Sequence, residues 1–366
     1  MKFQIQREDL LTPLQKIIGA VEKRQTMPAL SNILIKADNE KISLTATDLE
    51  IELVTTLGMV ADEAGETTLP ARKLLDICKA LPDESSISIT VDTDKALIKS
   101  GRSRFSLSTL PADDFPALES INTVAEFDLP QNTLKELIDK TSFAMALQDV
   151  RYYLNGLLLE VGSGLLRAVA TDGHRLAYCE KQADCELAEI KQVIVPRKGI
   201  QELVRLLDDS DTPIKVLLGS NHIRAELGDI RFTSKLIDGR FPDYNRVIPD
   251  DGKNVITADR DSLRQALVRA SILSNEKYRG IRLVVEKDLL QLQAQNPDQE
   301  EADVEVEIDY NGDSLEIGFN VNYMLDVLNV TDSATVKAAL RDSNSSCLMT
   351  YPEHPDCKYV IMPMRL

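Results

Sequence analysis

One segment places acid–base side chains close together. In Thr171-Asp172-Gly173-His174-Arg175 a carboxylate and an imidazole stand two residues apart, as proton transfer would need. A hydrolase or transferase centred on Asp172 and His174 is one reading. A second segment argues against it. Thr47-Asp48-Leu49-Glu50 keeps the Thr-Asp pair and has no histidine. A pair that recurs without the imidazole is better explained as a strand end whose Asp side chain holds a turn.

Other clusters give way in the same manner. Gly101-Arg102-Ser103-Arg104-Phe105 reads as a phosphate loop, or as arginines that are solvated or paired with acids such as Glu300, Glu301 and Asp303. Asn-Pro-Asp-Gln-Glu-Glu at 296–301 lacks spaced metal ligands and reads as an acidic surface loop. The phosphate-loop, dinucleotide, nucleophile-elbow and zincin motifs are absent from the sequence. The cysteines, at 78, 179, 185, 347 and 357, form no C-x-x-C pair and do not cluster with the three histidines. They are expected to be reduced, mostly buried thiols in a cytoplasmic protein. The expectation is no catalytic residue, no metal and no cofactor. The end, Tyr359-Val360-Ile361-Met362-Pro363-Met364-Arg365-Leu366, is apolar throughout. It reads as a last strand within a sheet, or as such a strand beside a groove where methionines adapt to a peptide.

The elements that carry these segments repeat. Sliding the chain by 124 residues lays Phe3 on Phe127, Leu10 on Leu134, Leu34 on Leu158 and Ala46-Thr47-Asp48 on Ala170-Thr171-Asp172. Leu69-Pro70-Ala71-Arg72-Lys73 parallels Val195-Pro196-Arg197-Lys198, and Leu110…Phe115-Pro116 parallels Leu236…Phe241-Pro242. A weaker third copy aligns Leu134 with Leu263, Gly156 with Gly280 and Asp172 with Asn296. Such self-similarity means tandem units of one architecture. Domains are expected at 1–124, 125–249 and 250–366.

Each unit reads as two halves. In the first, a strand (3–6) leads to a helix near 7–24, then strands at 33–37, 41–47 and 50–57, with a hairpin turn at Asp38-Asn39-Glu40. The second begins with a Pro-led helix to Leu81, followed by strands near 87–91, 96–100 and 104–108. Apolar stripes at helical spacing, such as Leu10, Leu14, Ile17 and Val21, or Leu74, Leu75, Cys78 and Leu81, must pack on sheets. The fold class is α+β, with six short helices and many antiparallel strands.

The formal net charge is −17, which opposes phosphate binding if spread evenly. It is not. The six expected helices (7–24, 70–81, 131–141, 196–207, 260–273, 320–328) carry 15 Lys and Arg against 9 Asp and Glu. An acidic body thus carries net-basic helices. These are ordinary solvated faces, or one surface turned toward a polyanion. The N-terminus has no signal-peptide pattern, and no apolar run suggests a membrane span.

Several stretches together resemble the bacterial sliding clamp family, the beta subunit of DNA polymerase III. They are Gly101–Pro111 (GRSRFSLSTLP), Asp149–Gly156 (DVRYYLNG), Ala170–Leu176 (ATDGHRL), Val195–Gly199 (VPRKG), Asp238–Tyr244 (DGRFPDY), Ile272–Lys277 (ILSNEK) and the terminal VIMPMRL. The resemblance covers essentially the whole chain. It implies a DNA-clamp fold: three tandem bipartite domains, a head-to-tail homodimeric ring with helices lining the hole, and antiparallel sheets outside. The function implied is that of a non-enzymatic processivity factor, cytoplasmic and nucleoid-associated, with no membrane partner. Its partners would be duplex DNA held topologically, a second copy, the polymerase alpha subunit, the clamp loader delta subunit, and other polymerases and repair proteins.

The resemblance also implies sites. DNA contacts would be Arg24, Gln148, Tyr152 and Tyr153, with Arg197 and Lys198 added from the basic helices. The dimer contact would set Lys73, Arg102, Arg104, Phe105 and Leu107 against Ile272, Leu273, Glu300 and Glu301. A partner-peptide pocket would comprise Leu154, Thr171, Gly173, His174, Arg175, Leu176, Pro242, Arg246, Val247, Asn320, Tyr323, Ser346, Val360, Met362, Pro363, Met364 and Arg365. Tyr351–Lys358 matches nothing in the family pattern. A clamp-fold paralogue acting as a spare or regulator is a further reading.

Overall fold

The computed structural model describes residues 1–22, 27–38, 40–116, 118, 121–183, 187, 189–249 and 254–365. Arg24 and Cys185 lie outside the described residues. The element order repeats three times. The first copy runs β1 (Lys2–Gln6), α1 (Arg7–Ile17), β2 (Asn32–Ala37), β3 (Ile42–Thr47), β4 (Ile51–Leu57), β5 (Gly65–Pro70), α2 (Ala71–Ala80), β6 (Ser86–Asp92), β7 (Lys95–Ser100) and β8 (Ser103–Ser108). The second runs β9 (Thr123–Pro130), α3 (Gln131–Asp139), β10 (Gly156–Gly162), β11 (Leu165–Thr171), β12 (Arg175–Gln182), β13 (Lys191–Pro196), α4 (Arg197–Leu206), β14 (Pro213–Gly219), β15 (His222–Leu227) and β16 (Ile230–Lys235). The third runs β17 (Asn254–Asp259), α5 (Arg260–Ser271), β18 (Gly280–Glu286), β19 (Leu289–Gln295), β20 (Glu301–Glu307), β21 (Leu315–Asn320), α6 (Val321–Asn329), β22 (Thr335–Leu340), β23 (Cys347–Tyr351) and β24 (His354–Ile361).

Two compact units cut across these copies. One holds Met1–Asn132 and Lys198–Leu236, the other Thr133–Arg197 and Ile237–Leu366. Each contains one four-stranded and one eight-stranded antiparallel sheet. In the first unit the orders are β1-β6-β7-β8 and β5-β2-β3-β4-β16-β15-β14-β9; in the second, β20-β19-β18-β21 and β13-β10-β11-β12-β24-β23-β22-β17. The long sheets therefore fuse half of one copy to half of the next, through β4–β16 in one unit and β12–β24 in the other.

The helices lie where the stripes place them, and their apolar faces are buried. Leu10, Leu14 and Ile17 of α1, and Leu74, Leu75 and Cys78 of α2, are all below 9% exposed. The two helices pack together, as do α5 and α6. Side-chain caps start α5 and α6: Asp259 accepts from the Ser262 N–H, and Asn320 from the Asn322 N–H, each satisfying an end-group that the helix leaves unpaired. α1 is shorter than the sequence suggests. It ends at Ile17 and passes into a 3-10 turn over Ile18–Ala20. Arg205 of α4 supplies the reason, donating to the Gln15 carbonyl (3.1 Å) and to the Lys16 carbonyl.

Two cysteines depart from expectation. Cys179 on β12 and Cys357 on β24 sit opposite one another in the strand register and form a disulfide. They are 178 residues apart, so only the pairing of β12 with β24 brings them together. Cys78 and Cys347 are free and buried. The Tyr351–Lys358 segment is the β23–β24 hairpin, with Tyr351 paired to His354 across the turn.

Candidate functional site: a pocket at the Thr-Asp turn

The Thr-Asp segments form the same turn twice. Asp48 Oδ1 accepts from the Glu50 and Ile51 amides at 2.9 and 2.8 Å. Asp172 Oδ1 accepts from His174 and Arg175 at 2.9 and 3.0 Å. Thr47 and Thr171 each donate to the carbonyl four residues on, at 2.7 and 2.6 Å. Both turns need a left-handed residue, Leu49 at φ 75° and Gly173 at φ 89°. The copies diverge here for a reason. A Cβ on Gly173 would lie 2.9 Å from the Arg151 guanidinium. Asn296 forms a third, related turn, accepting from the Asp298 and Glu300 amides. The Asp172 carboxylate is thus engaged with backbone and with Arg175.

Arg175 ties this turn to its surroundings. Its Nε donates to Asp172 Oδ2 (3.1 Å), its Nη2 to the Phe143 carbonyl (2.8 Å) and its Nη1 to Asp326 of α6. The guanidinium also lies 4.5 Å from the Tyr323 ring centre and 5.3 Å from that of Phe143. Such stacking is favourable for a cation. Burial pushes the Tyr323 phenol up, so the ring stays neutral.

β24 runs beside the turn. Leu176 pairs with Val360 and Arg175 with Ile361. Past the strand, the Met362 amide bonds the His174 carbonyl (2.9 Å) and the Met364 amide bonds the Gly318 carbonyl (2.8 Å). Backbone bonds thus hold the apolar tail in place, with Met362 exposed and Pro363 and Met364 half-buried. Leu176 and Val360 join Tyr178, Phe241 and Tyr244 in a buried cluster, against which Tyr153 and Val247 pack. Pro242 and Arg246 are exposed above it, on the segment that holds the 3-10 turn Tyr244–Arg246. Leu154 is buried, Asn320 caps α6, and Ser346 is half-buried before β23.

The residues assigned to DNA are more scattered in character. Gln148 is exposed at φ 54°. Tyr152 is 58% exposed. Hydrogen bonds tie their loop together: Arg151 donates twice to Asp149, whose carboxyl it holds down at about 2, and Asn155 bonds the Asp149 backbone in both directions. Arg197 donates to the Met145 carbonyl (3.0 Å), and Lys198 is ion-paired with Asp48. Lys140 is 6% exposed and paired with Glu136. Several helix cations are therefore internal ties, a use that charge counting cannot separate from a free basic face.

The residues assigned to the dimer contact lie at the surface. Arg102 and Arg104 are exposed on and beside β8, with Phe105 and Leu107 half-buried between them. Ile272 is 72% exposed after α5. Glu300 and Glu301 are exposed at the start of β20, where they accept from Asn296 and Gln295.

Sequence reasoning missed Asp326 and Phe143, which accept from Arg175, and Glu160, which accepts from the Tyr244 hydroxyl. Their signal in the sequence is no more than an acid or aromatic residue among many.

Three family models match in succession: the N-terminal domain of the DNA polymerase III beta subunit at residues 1–119, its central domain at 128–243 and its C-terminal domain at 245–365. A beta sliding clamp from Pseudomonas aeruginosa is 56% identical, and one from Escherichia coli K12 is 51% identical, each over the full length of both chains. The crystal structure of the Pseudomonas aeruginosa beta subunit superposes with a TM-score of 0.98 over both whole chains. Another from that organism, bound to griselimycin, superposes at 0.96 with 56% identity over both whole chains. The chain belongs to the bacterial DNA polymerase III beta subunit family, the beta sliding clamps.

Proposed function

We propose that two copies of the chain close head to tail into a ring around duplex DNA. The ring slides and keeps polymerases attached, and it catalyses no reaction. The observation that carries this reading is a pair of open sheet edges. In each unit the fourth strand of one copy pairs with the last strand of the next copy, as β4–β16 and β12–β24 do. The remaining strands of these two kinds, β20 and β8, are both sheet edges. Exposed edges invite pairing, and β20 of one copy is the natural partner of β8 in another. Two such contacts close a ring of six similar domains, with boundaries near 1–124, 125–249 and 250–366.

Charge and shape support the same contact. A cavity of about 480 Å³ is lined by Ser31, Asn32, Arg72, Lys73 and Thr109, among others. Arg72 is the repeat mate of Lys198, which receives Asp48 from the first copy's turn. The third copy's equivalent turn, Asn296 to Glu300, is acidic and would enter this basic cavity from the partner. Phe105 and Leu107 would meet Ile272 and Leu273, leaving Arg102 and Arg104 near Glu300 and Glu301.

The pocket would hold short apolar-polar peptides of the polymerase alpha subunit, the clamp loader delta subunit, other polymerases and repair proteins. An apolar floor, adaptable methionines and the exposed His174 and Arg246 suit that ligand. Arg24, Gln148, Tyr152, Tyr153, Arg197 and Lys198 would touch DNA backbone or single strand without reading bases. The place of work is the cytoplasm, at the nucleoid.

The test is retention by topology. The protein is loaded with its cognate loader and ATP onto nicked circular plasmid, and free protein is removed by gel filtration. The plasmid is then cut once and the column repeated. Encirclement predicts retention on the circle and loss from the linear form. Retention on both overturns the ring reading in favour of ordinary surface binding.

A further inference from the structure

The pocket wall at Pro242–Val247 belongs to no strand and contains only a three-residue 3-10 turn. So short a turn does not hold its own shape. Among the described residues, two hydrogen bonds tie the segment 237–248 to the sheet behind it. The Ile237 amide bonds the Ile194 carbonyl, and the Tyr244 hydroxyl donates to Glu160 Oε2 at 2.5 Å. The Arg246–Asp243 pair lies within the segment and is exposed, so it adds little.

Glu160 is an unusual residue for its place. It stands mid-strand in β10, where every residue is buried, and is itself 5% exposed. A buried carboxylate is costly unless its oxygens are satisfied. Here Oε1 accepts from Gln192 of β13, Oε2 accepts from Tyr244, and Arg167 of β11 lies 3.7 Å away. Arg167 also donates to Glu180 (2.7 Å), which accepts from Tyr178 (2.6 Å). The Tyr178 and Tyr244 rings are 5.8 Å apart within the cluster that holds Leu176 and Val360. A polar network thus runs beneath the apolar floor and reaches the sheet strands and the wall alike. An apolar residue would fill the Glu160 position at less desolvation cost, but it would give the Tyr244 hydroxyl nothing to bind.

We propose that Glu160 and Tyr244 are positioning residues for the peptide pocket, fixing the height of the wall that carries Val247 and Arg246 above the Leu176–Val360 floor. This rests on the peptide-pocket reading given above. The residues touch no ligand; they act through the wall.

The test measures binding of labelled griselimycin by fluorescence anisotropy, together with the thermal midpoint of each variant. Tyr244→Phe removes one hydroxyl and keeps the ring. Glu160→Leu removes the acceptor, while Glu160→Gln keeps one. Tyr244→Phe and Glu160→Leu should each weaken binding by about fivefold, roughly what one buried hydrogen bond to a charged group can transmit. The double variant should be no weaker than either single one, because one interaction is lost once. Glu160→Gln should bind within about twofold of the parent. Should Glu160→Leu not fold, Tyr244→Phe against Glu160→Gln still decides.

Lowered thermal midpoints with unchanged binding would make the network merely structural and overturn the proposal. Additive losses in the double variant would overturn it too. A separate failure is recognisable: if Met364→Ala and His174→Ala bind griselimycin as the parent does, the ligand does not use this pocket, and the pocket reading falls along with the inference built on it.

Discussion

Arg175, on the Thr-Asp turn of the second copy, binds Asp326 on helix α6 of the third. In the first unit the corresponding turn works with opposite signs, as the acid Asp48 binds the base Lys198. The two joins thus place charges of opposite sign on turn and helix, at different positions of each helix.

Arg175→Ala should therefore be severe. It removes bonds to Asp172, Asp326 and the Phe143 carbonyl together with two ring contacts. A loss of about 3 kcal/mol is expected for breaking the largely buried Arg175–Asp172 pair, the more exposed Asp326 adding little. Denaturant unfolding measures it. A loss under about 0.5 kcal/mol would mean the pair is solvated and contributes little.

Gly173→Ala tests the turn itself. The φ of 89° and the 2.9 Å approach to Arg151 predict about 1–2 kcal/mol of strain. Peptide binding should fall with it, since the His174 carbonyl holds Met362. Leu49→Gly, at the same place in the first copy, should relieve strain and leave peptide binding unchanged.

The free cysteines give a pH-dependent signature. Burial pushes Cys78 up to about 11 and Cys347 up to about 12. The folded protein keeps both protons that the unfolded chain releases near pH 9. Their contribution to stability is complete below pH 9 and is lost as pH rises through 11 to 12. At pH 8 both should resist iodoacetamide until the protein unfolds. Labelling of native protein at either position, seen by peptide mass mapping, would contradict this. The same digest without reductant should yield the Cys179–Cys357 cross-linked peptide.

If the proposed ring forms through Ile272, Ile272→Asp should shift the protein toward monomer in sedimentation. Losing one isoleucine contact at each of the two proposed interfaces would cost about 3 kcal/mol, or about 150-fold in dissociation constant. An unchanged association state would remove Ile272 from the dimer contact.

Much of this protein is legible in its residues alone. The period of Leu10, Leu134 and Leu263, and of Asp48, Asp172 and Asn296, sets three copies, because each must bury the same stripes and close the same turns. Thr-Asp predicts its turn because the bonds lie within four residues of chain. The tertiary structure decided what depends on distant partners. Cys179 meets Cys357 only because β12 pairs with β24. Arg205 ends α1 from a helix in the next copy, which local periodicity around Ile17 cannot register. Arg197, Lys198 and Lys140 look like any basic helix residues until Met145, Asp48 and Glu136 are found beside them. Glu160 looks like a polar break in an apolar strand until Tyr244 arrives from 84 residues away. Local bonds and spacing are written in order along the chain; which halves fuse, and which charges are used up inside, follows from packing between elements far apart in it.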